Sequence, residues 1–304
     1  MSARGPATAS SALLAAGVAR PGAAVAAVVL AVISFAAAFA PLIAPQNPFD
    51  LASFDVLDAN LPPAWLPGSD PRFVLGTDAQ GRDIFSAVLY GTRISLLVGV
   101  LAVAIQAVIG IPLGLFAGYL GGKVDIIVTR LADIQLSLST LMTAIIVLAL
   151  FRAGLGGESL SQLAVPLLVV VIGLAEWPYF ARTARAATQV ESAKDYIRAA
   201  RALGASDPSI LRRHLLPNIT SPLIVVATTQ VAGAIMAEAA LSFLGLGMPV
   251  TKPSLGTLIR SGYDLLFSGA WWGTVIPGLV LVVVLIAVNL IGDALRDALD
   301  PRLR

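Results

Sequence analysis

The sequence predicts an all-α membrane protein with six transmembrane helices, and two observations carry that prediction. Only 12% of the 304 residues are charged, about half the share of an ordinary soluble domain, and mean hydropathy is +0.87. Six apolar stretches, at 22–44, 94–118, 130–151, 163–181, 221–245 and 271–292, each approach the roughly 17–25 residues that a spanning helix needs. A net charge of +2 without a dense basic run argues against a nucleic-acid partner. With Cys 0, disulfides, thiolate nucleophiles and cysteine-ligated metals are excluded.

The first stretch follows Arg4 and Arg20, and Ala38-Phe39-Ala40 resembles a small-residue cleavage site. A signal peptide's apolar region is about 7–15 residues long, however, and this run is long enough to cross a bilayer. It reads as an uncleaved first span, 22–44, behind an N-terminal tail, 1–21. Residues 45–93 contain Pro45, Pro48, Pro62, Pro63, Pro67 and Pro71, too much proline for a long helix. They form an extended loop that re-enters the membrane near GTDAQGRDIFSAVLYGTRISL (76–96).

A core of spans then fills 94–293. In the second span Gly110, Gly114 and Gly118 share one face at four-residue spacing, which lets a neighbouring backbone approach closely in lipid. In the third, Arg130 and Asp133 stand at i,i+3 and are expected to neutralise each other. Glu176 lies near the end of the fourth. Glu238, in MAEAALSFLGLG of the fifth span, is an intramembrane carboxylate and so a functional candidate. It suits a proton carrier, or a hydrogen-bond staple to a neighbouring helix or a backbone break; the second reading is preferred. Gln230 and Asn289, the latter in the sixth span, pose the same choice. The loop 246–270 closes with Trp271-Trp272, which suits an interfacial belt, and 294–304 is a C-terminal tail.

Charge sets the orientation. Arg72, Arg82, Arg93, Arg152, Lys252 and Arg260 fall on one side, and the other fourteen of the 20 Lys and Arg on the side of the termini. The positive-inside rule then places both termini in the cytoplasm. The segment YIRAARALGASDPSILRRHLLPN (196–218) faces the cytoplasm too. It reads as a short helix, a Gly-Ala-Ser-Asp-Pro break, and a second basic helix started by Asp207-Pro208 and ended by Leu216-Pro217.

Catalytic chemistry finds no footing. The nearest approach to a phosphate-binding loop, at Gly122-Lys123, has Ala117 for the first glycine and Val124 for Ser/Thr. The lone His214 makes neither a metal cluster nor a triad. The chain is read as a non-enzyme, with no metal and no cofactor of its own.

Ala199-Ala200, Gly204 and the later Leu216-Pro217 resemble the EAA loop of ABC importer permeases. More narrowly, LGTDAQGRDIFSAVLYGTRISL, AEAALSFLGLG, PSLGTLI and NLIGDALRDALDPRLR are similar to the shorter permease of the dipeptide/oligopeptide/nickel group. Arg198 replaces the glutamate of the general motif and His214 its isoleucine. The resemblance implies a type I importer fold whose cytoplasmic coupling hairpin, 196–217, docks on separate ATPase subunits that bind ATP and Mg. Ala199, Ala200, Gly204, Ala205, Leu216 and Pro217 are its expected coupling residues. It also implies a bacterial inner-membrane location, a second permease completing a heterodimeric pore, two ATPases, and an extracytoplasmic solute-binding protein delivering a peptide or similar solute. The outside loops, with Asp78, Arg82 and Asp83, are candidates for docking that protein or for sealing the pore mouth. The alternative functions are a proton-coupled secondary transporter using Glu238 and a membrane anchor without transport. Neither accounts for the Ala-Ala-x-x-x-Gly hairpin.

Overall fold

Asp83 decides where the longest helix starts. The computed structural model describes residues 21–50, 54–154 and 157–299. Asp83 has extended backbone, and its Oδ2 accepts hydrogen bonds from the Ser86 amide (2.9 Å) and the Ser86 hydroxyl (2.5 Å). That satisfies donors which a helix N-terminus leaves without partners. The helix therefore begins at Ile84, and residues 84–93, expected in the loop, belong to it.

It is the second of the long helices. The first, α1 (Pro21–Ala38), buries Ala23, Ala26 and Ala37 and turns Val25, Val28, Val32 and Phe35 outward, an apolar outer face that suits lipid. Next come α2 (Ile84–Leu120), α3 (Gly122–Ser137), α4 (Thr140–Gly154), α5 (Gly157–Ser192) and the short α6 (Asp195–Ala202). After a second short segment, Asp207 to Asn218, follow α7 (Thr220–Phe243), α8 (Leu255–Tyr263) and α9 (Trp272–Leu299). Among the described residues α1, α2, α5, α7 and α9 are long and apolar enough to cross a membrane. The pair α3–α4 makes a sixth span if counted together, but it bends by 83°. The stretch expected as a third span at 130–151 is thus two helices meeting at Leu138–Ser139.

The fourth span continues beyond residue 181 to Ser192, because its cations find partners on α3. Arg182 reaches Asp133 (2.5 Å), and Arg185 grips both carboxylate oxygens of Asp125. Asp133 therefore pairs across helices and not with Arg130 one turn away. Lipid supplies little hydrophobic drive between helices, so packing must hold them. The three glycines of α2 provide it. A Cβ at Gly110, Gly114 or Gly118 would lie 2.5, 2.2 or 2.6 Å from the carbonyl oxygens of Trp177, Ala181 and Arg185 on α5. The two backbones are in direct contact along that ridge.

Two apolar clusters hold the fold, one running along the bundle and one at the end away from the hairpin. One ties the 195–218 hairpin to the bundle through Ile197, Ile210, Leu215 and Ile219. The other joins Ile84, Ile235, Leu255, Leu258 and Trp272 beneath the loops of the far end, here called the cap. Trp272 is buried there, its Nε1 donating to the Thr77 carbonyl at 3.1 Å. It pins a loop instead of joining Trp271 in an interfacial belt. Residues 1–20 and 300–304, with Arg4, Arg20, Arg302 and Arg304 of the charge count, lie outside the described residues.

Candidate functional site

The hairpin is built from a glycine cap. α6 ends with Gly204 at φ +84°, a left-handed conformation that costs other residues about 1 kcal/mol or more. The Ala205 amide donates to the Ala200 carbonyl (3.0 Å) and the Gly204 amide to the Arg201 carbonyl (2.9 Å). This paired arrangement satisfies the last carbonyls of the helix and fixes the turn. Asp207-Pro208 then restarts the chain. The Ile210–Leu215 stretch is widened to i→i+5 hydrogen bonding and runs into Leu216-Pro217.

Burial divides the hairpin in two. Ile197, Ile210 and Leu215 are fully buried. Ala199, Gly204, Leu216 and Pro217 are exposed, Ala200 and Ala205 partly so. Nothing lies within 4 Å of a Cβ placed on Gly204. The result is an exposed face on which Ala199 and Gly204 lie among Leu203, 88% exposed, and the exposed Arg198, Arg201, Arg212 and Arg213, on a base staked into the bundle. Polar links stiffen it. Tyr119 at the end of α2 donates to Asp207 (2.5 Å), and the Arg201 guanidinium lies 5.0 Å from the Tyr119 ring centroid. Tyr196 donates to Glu191 (2.7 Å) and accepts from Asn218 (3.2 Å). Partial burial, and then the Glu191 carboxylate, push the Tyr196 phenol up to about 12.

At the cap, Asp78, Arg82 and Asp83 are all buried. Arg82 Nε donates to Asp78 Oδ2 (2.7 Å), and its Nη1 reaches the Val250 carbonyl of the second loop (2.8 Å). Asp83 caps α2, and its backbone amide donates to Gln46 Oε1 (2.7 Å). A Cβ on Gly81, φ +81°, would lie 2.0 Å from the Asp55 carbonyl oxygen. These side chains close the loops on each other and present no charge outward.

Glu238 is also sealed. Its Oε2 accepts from Ser95 of α2 (2.7 Å) and its Oε1 from Ser242 (2.6 Å). Ser254, the N-cap of α8, is a further side-chain partner. It staples three segments under the cap. Asn289 is exposed, and its amide donates to the Leu285 carbonyl of its own helix (2.9 Å). A cluster that sequence reasoning missed lies deeper. Glu176, on the interior of α5 and not at a span end, is half-buried. Its Oε2 accepts from Gln106 of α2 (3.4 Å) and Gln230 of α7 (3.2 Å). Gln230 also donates to Gln106 Oε1 (3.2 Å). The signal was available: one polar side chain in each of three apolar stretches. Among the described residues no three His, Cys, Asp or Glu side chains converge on a metal site.

The bundle has the make-up of a multi-pass membrane component, with an anchored, exposed hairpin at one end. The chain belongs to the family described as binding-protein-dependent transport system inner membrane component, matched over residues 110–304. It is 40% identical to the di/tripeptide transport system permease protein DppC of Pseudomonas aeruginosa, over 90% of this chain and 85% of that one. It is 41% identical to the dipeptide transport system permease protein DppC of Escherichia coli, over 93% and 90%. The fold is similar to a chain of the MetNI methionine ABC transporter in an inward-facing conformation. That match has a TM-score of 0.56 at 21% identity and covers 70% of this chain and 96% of the other.

Proposed function

We propose that this chain is the membrane permease subunit of an ATP-driven, binding-protein-dependent dipeptide importer, forming half of a heterodimeric translocation path. The observation that carries the reading is the Gly204-capped hairpin, staked by Ile197, Ile210 and Leu215 and exposed on its outer face. Relatives matching along nearly their whole length support the substrate. In this reading the hairpin and both termini face the cytoplasm and the cap faces outward. ATP and Mg are held by separate ATPase subunits, and a solute-binding protein presents peptide at the cap.

The geometry suits transmission. The exposed surface built around Ala199, Ala200 and Gly204 fits a groove on an ATPase subunit. Closure of the ATPase pair on ATP then displaces the hairpin as a rigid body. Its buried stakes and the Tyr119–Asp207 bond carry that displacement into α2 and α5. The spans thereby exchange between inward-open and outward-open arrangements. Glu238 does not suit a proton carrier, because serine hydroxyls and packed helices occupy its surroundings.

The test is a mild-detergent pull-down of the tagged chain with its partners. Recovery of a second permease and the ATPases, lost or uncoupled from uptake in Gly204→Asp, is the expected result. Normal ATP-driven uptake by Gly204→Asp rejects the hairpin assignment. Uptake by the isolated chain without ATP rejects the importer reading.

A further inference from the structure

Glu176 is left without a role by the coupling scheme, yet a carboxylate at membrane depth is energetically expensive. At 1.5 Å per residue, Gln106 lies about 21 Å along α2 from Leu120 and Glu176 about 24 Å along α5 from Ser192. The break after Ser137 lies about 24 Å along α3 from Gly122. The polar cluster and the bend of the broken span therefore share one level. Thr140, the first residue after the bend, is itself a side-chain partner of Glu176.

That bend is informative independently. Backbone outside a helix is tolerated at membrane depth only where protein buries it or where it borders water. Ser137, Leu138 and Ser139 are exposed on this chain, so the chain does not bury its own bend, and water or the second permease must border it. Glu176 differs from Glu238 in the same respect. Glu238 is completely enclosed, whereas Glu176 keeps an open side. Its Oε2 takes both glutamine amides and Thr140 is a third partner, so of the about four acceptor positions of a carboxylate about one is left on the open side. That position and the carboxylate's charge match a positively charged donor, and an ammonium has N–H bonds to give and no acceptor.

Resting on the importer reading above, we propose that Glu176, oriented by Gln106, Gln230 and Thr140, receives the α-ammonium group of the peptide as it passes the bend. Glu176 is a binding residue of the path, and the two glutamines are positioning residues that hold the carboxylate toward it.

The experiment uses the complete transporter, with both permeases, the ATPases and the binding protein, in proteoliposomes supplied with a free-amine dipeptide. For Glu176→Gln, peptide taken up per ATP hydrolysed is expected to fall at least about tenfold. Binding-protein-stimulated hydrolysis and thermal stability are expected to stay at wild-type levels, and Glu176→Asp is expected to recover most of the uptake. A cysteine at Ser139, in a chain that has none of its own, is expected to react with a charged, membrane-impermeant thiol reagent beyond the background of the unsubstituted complex. Unchanged uptake per ATP in Glu176→Gln overturns the proposal. Loss of hydrolysis and stability together with uptake, without recovery in Glu176→Asp, also overturns it, since that marks a structural carboxylate. Failure of the Ser139→Cys thiol to react in any nucleotide state overturns a watery passage at the bend. Absence of peptide uptake by the wild-type complex is a separate result and refutes the substrate reading itself.

Discussion

The two ends of this protein use opposite means of holding a loop in place. At the cap, polar groups are turned inward: Arg82 on Asp78 and Val250, Asp83 on Ser86 and Gln46, Trp272 on Thr77. At the hairpin, aliphatic side chains are turned inward and small residues face out. A buried polar lock fails as a unit when one member is removed, because the remaining groups are left desolvated and unpaired. A hydrophobic stake leaves the exposed face free to change. In the importer reading, the polar lock holds the outer loops and the hairpin keeps its face for the ATPase.

Arg82→Ala breaks that comparison most severely. It strands Asp78 in a buried site and is expected to cost roughly 3–5 kcal/mol, read as loss of folded protein and rapid proteolysis of the 54–83 loop. Retention of the wild-type melting temperature would show that the cap is not locked by this pair. Next comes Glu238→Gln, which removes one acceptor among three serine hydroxyls and is expected to cost about 1–3 kcal/mol. Melting temperature should fall, while uptake per folded transporter persists. Complete loss of uptake without loss of stability points to a carrier role.

At the hairpin, Gly204→Ala strains only the left-handed cap, at about 1 kcal/mol. Its melting shift should be small and its weakening of ATPase capture disproportionate, the two being compared in the same preparation. The smallest effect belongs to Asn289→Ala, whose side chain bonds only its own helix. Stability within about 0.5 kcal/mol of wild type and unaltered uptake are expected. A larger defect would identify an interface on that exposed face of α9.

The spans and the hairpin were legible because their signals are local: apolar runs, and Gly204 followed by Asp207-Pro208. What escaped depends on partners distant in sequence. Arg130 and Asp133 looked like a pair from their spacing, but Arg182 reaches Asp133 from another helix. No proline or glycine at Leu138–Ser139 announces the 83° bend. The early start of α2 could have been read from Asp83 and Ser86, whose spacing suits an N-cap, but apolar content alone set the boundary at 94. Glu176 was placed at a span end because hydropathy falls after residue 181, although the helix continues while its arginines are neutralised by α3.

One consequence follows from the length of α2. Its first turn is fastened to the cap through Asp83 and its last to the hairpin through Tyr119, the helix being 37 residues, or about 55 Å, long. Tilting such a rod by about a tenth of a radian around its midpoint sweeps each tip through about 3 Å in opposite directions. In the importer reading the two faces then sense each other through one helix, its interior broken in hydrogen bonding only where Pro112 lacks an amide donor. A ligand that favours one tilt from the cap and a nucleotide that favours it from the hairpin each strengthen the other's hold by the same factor.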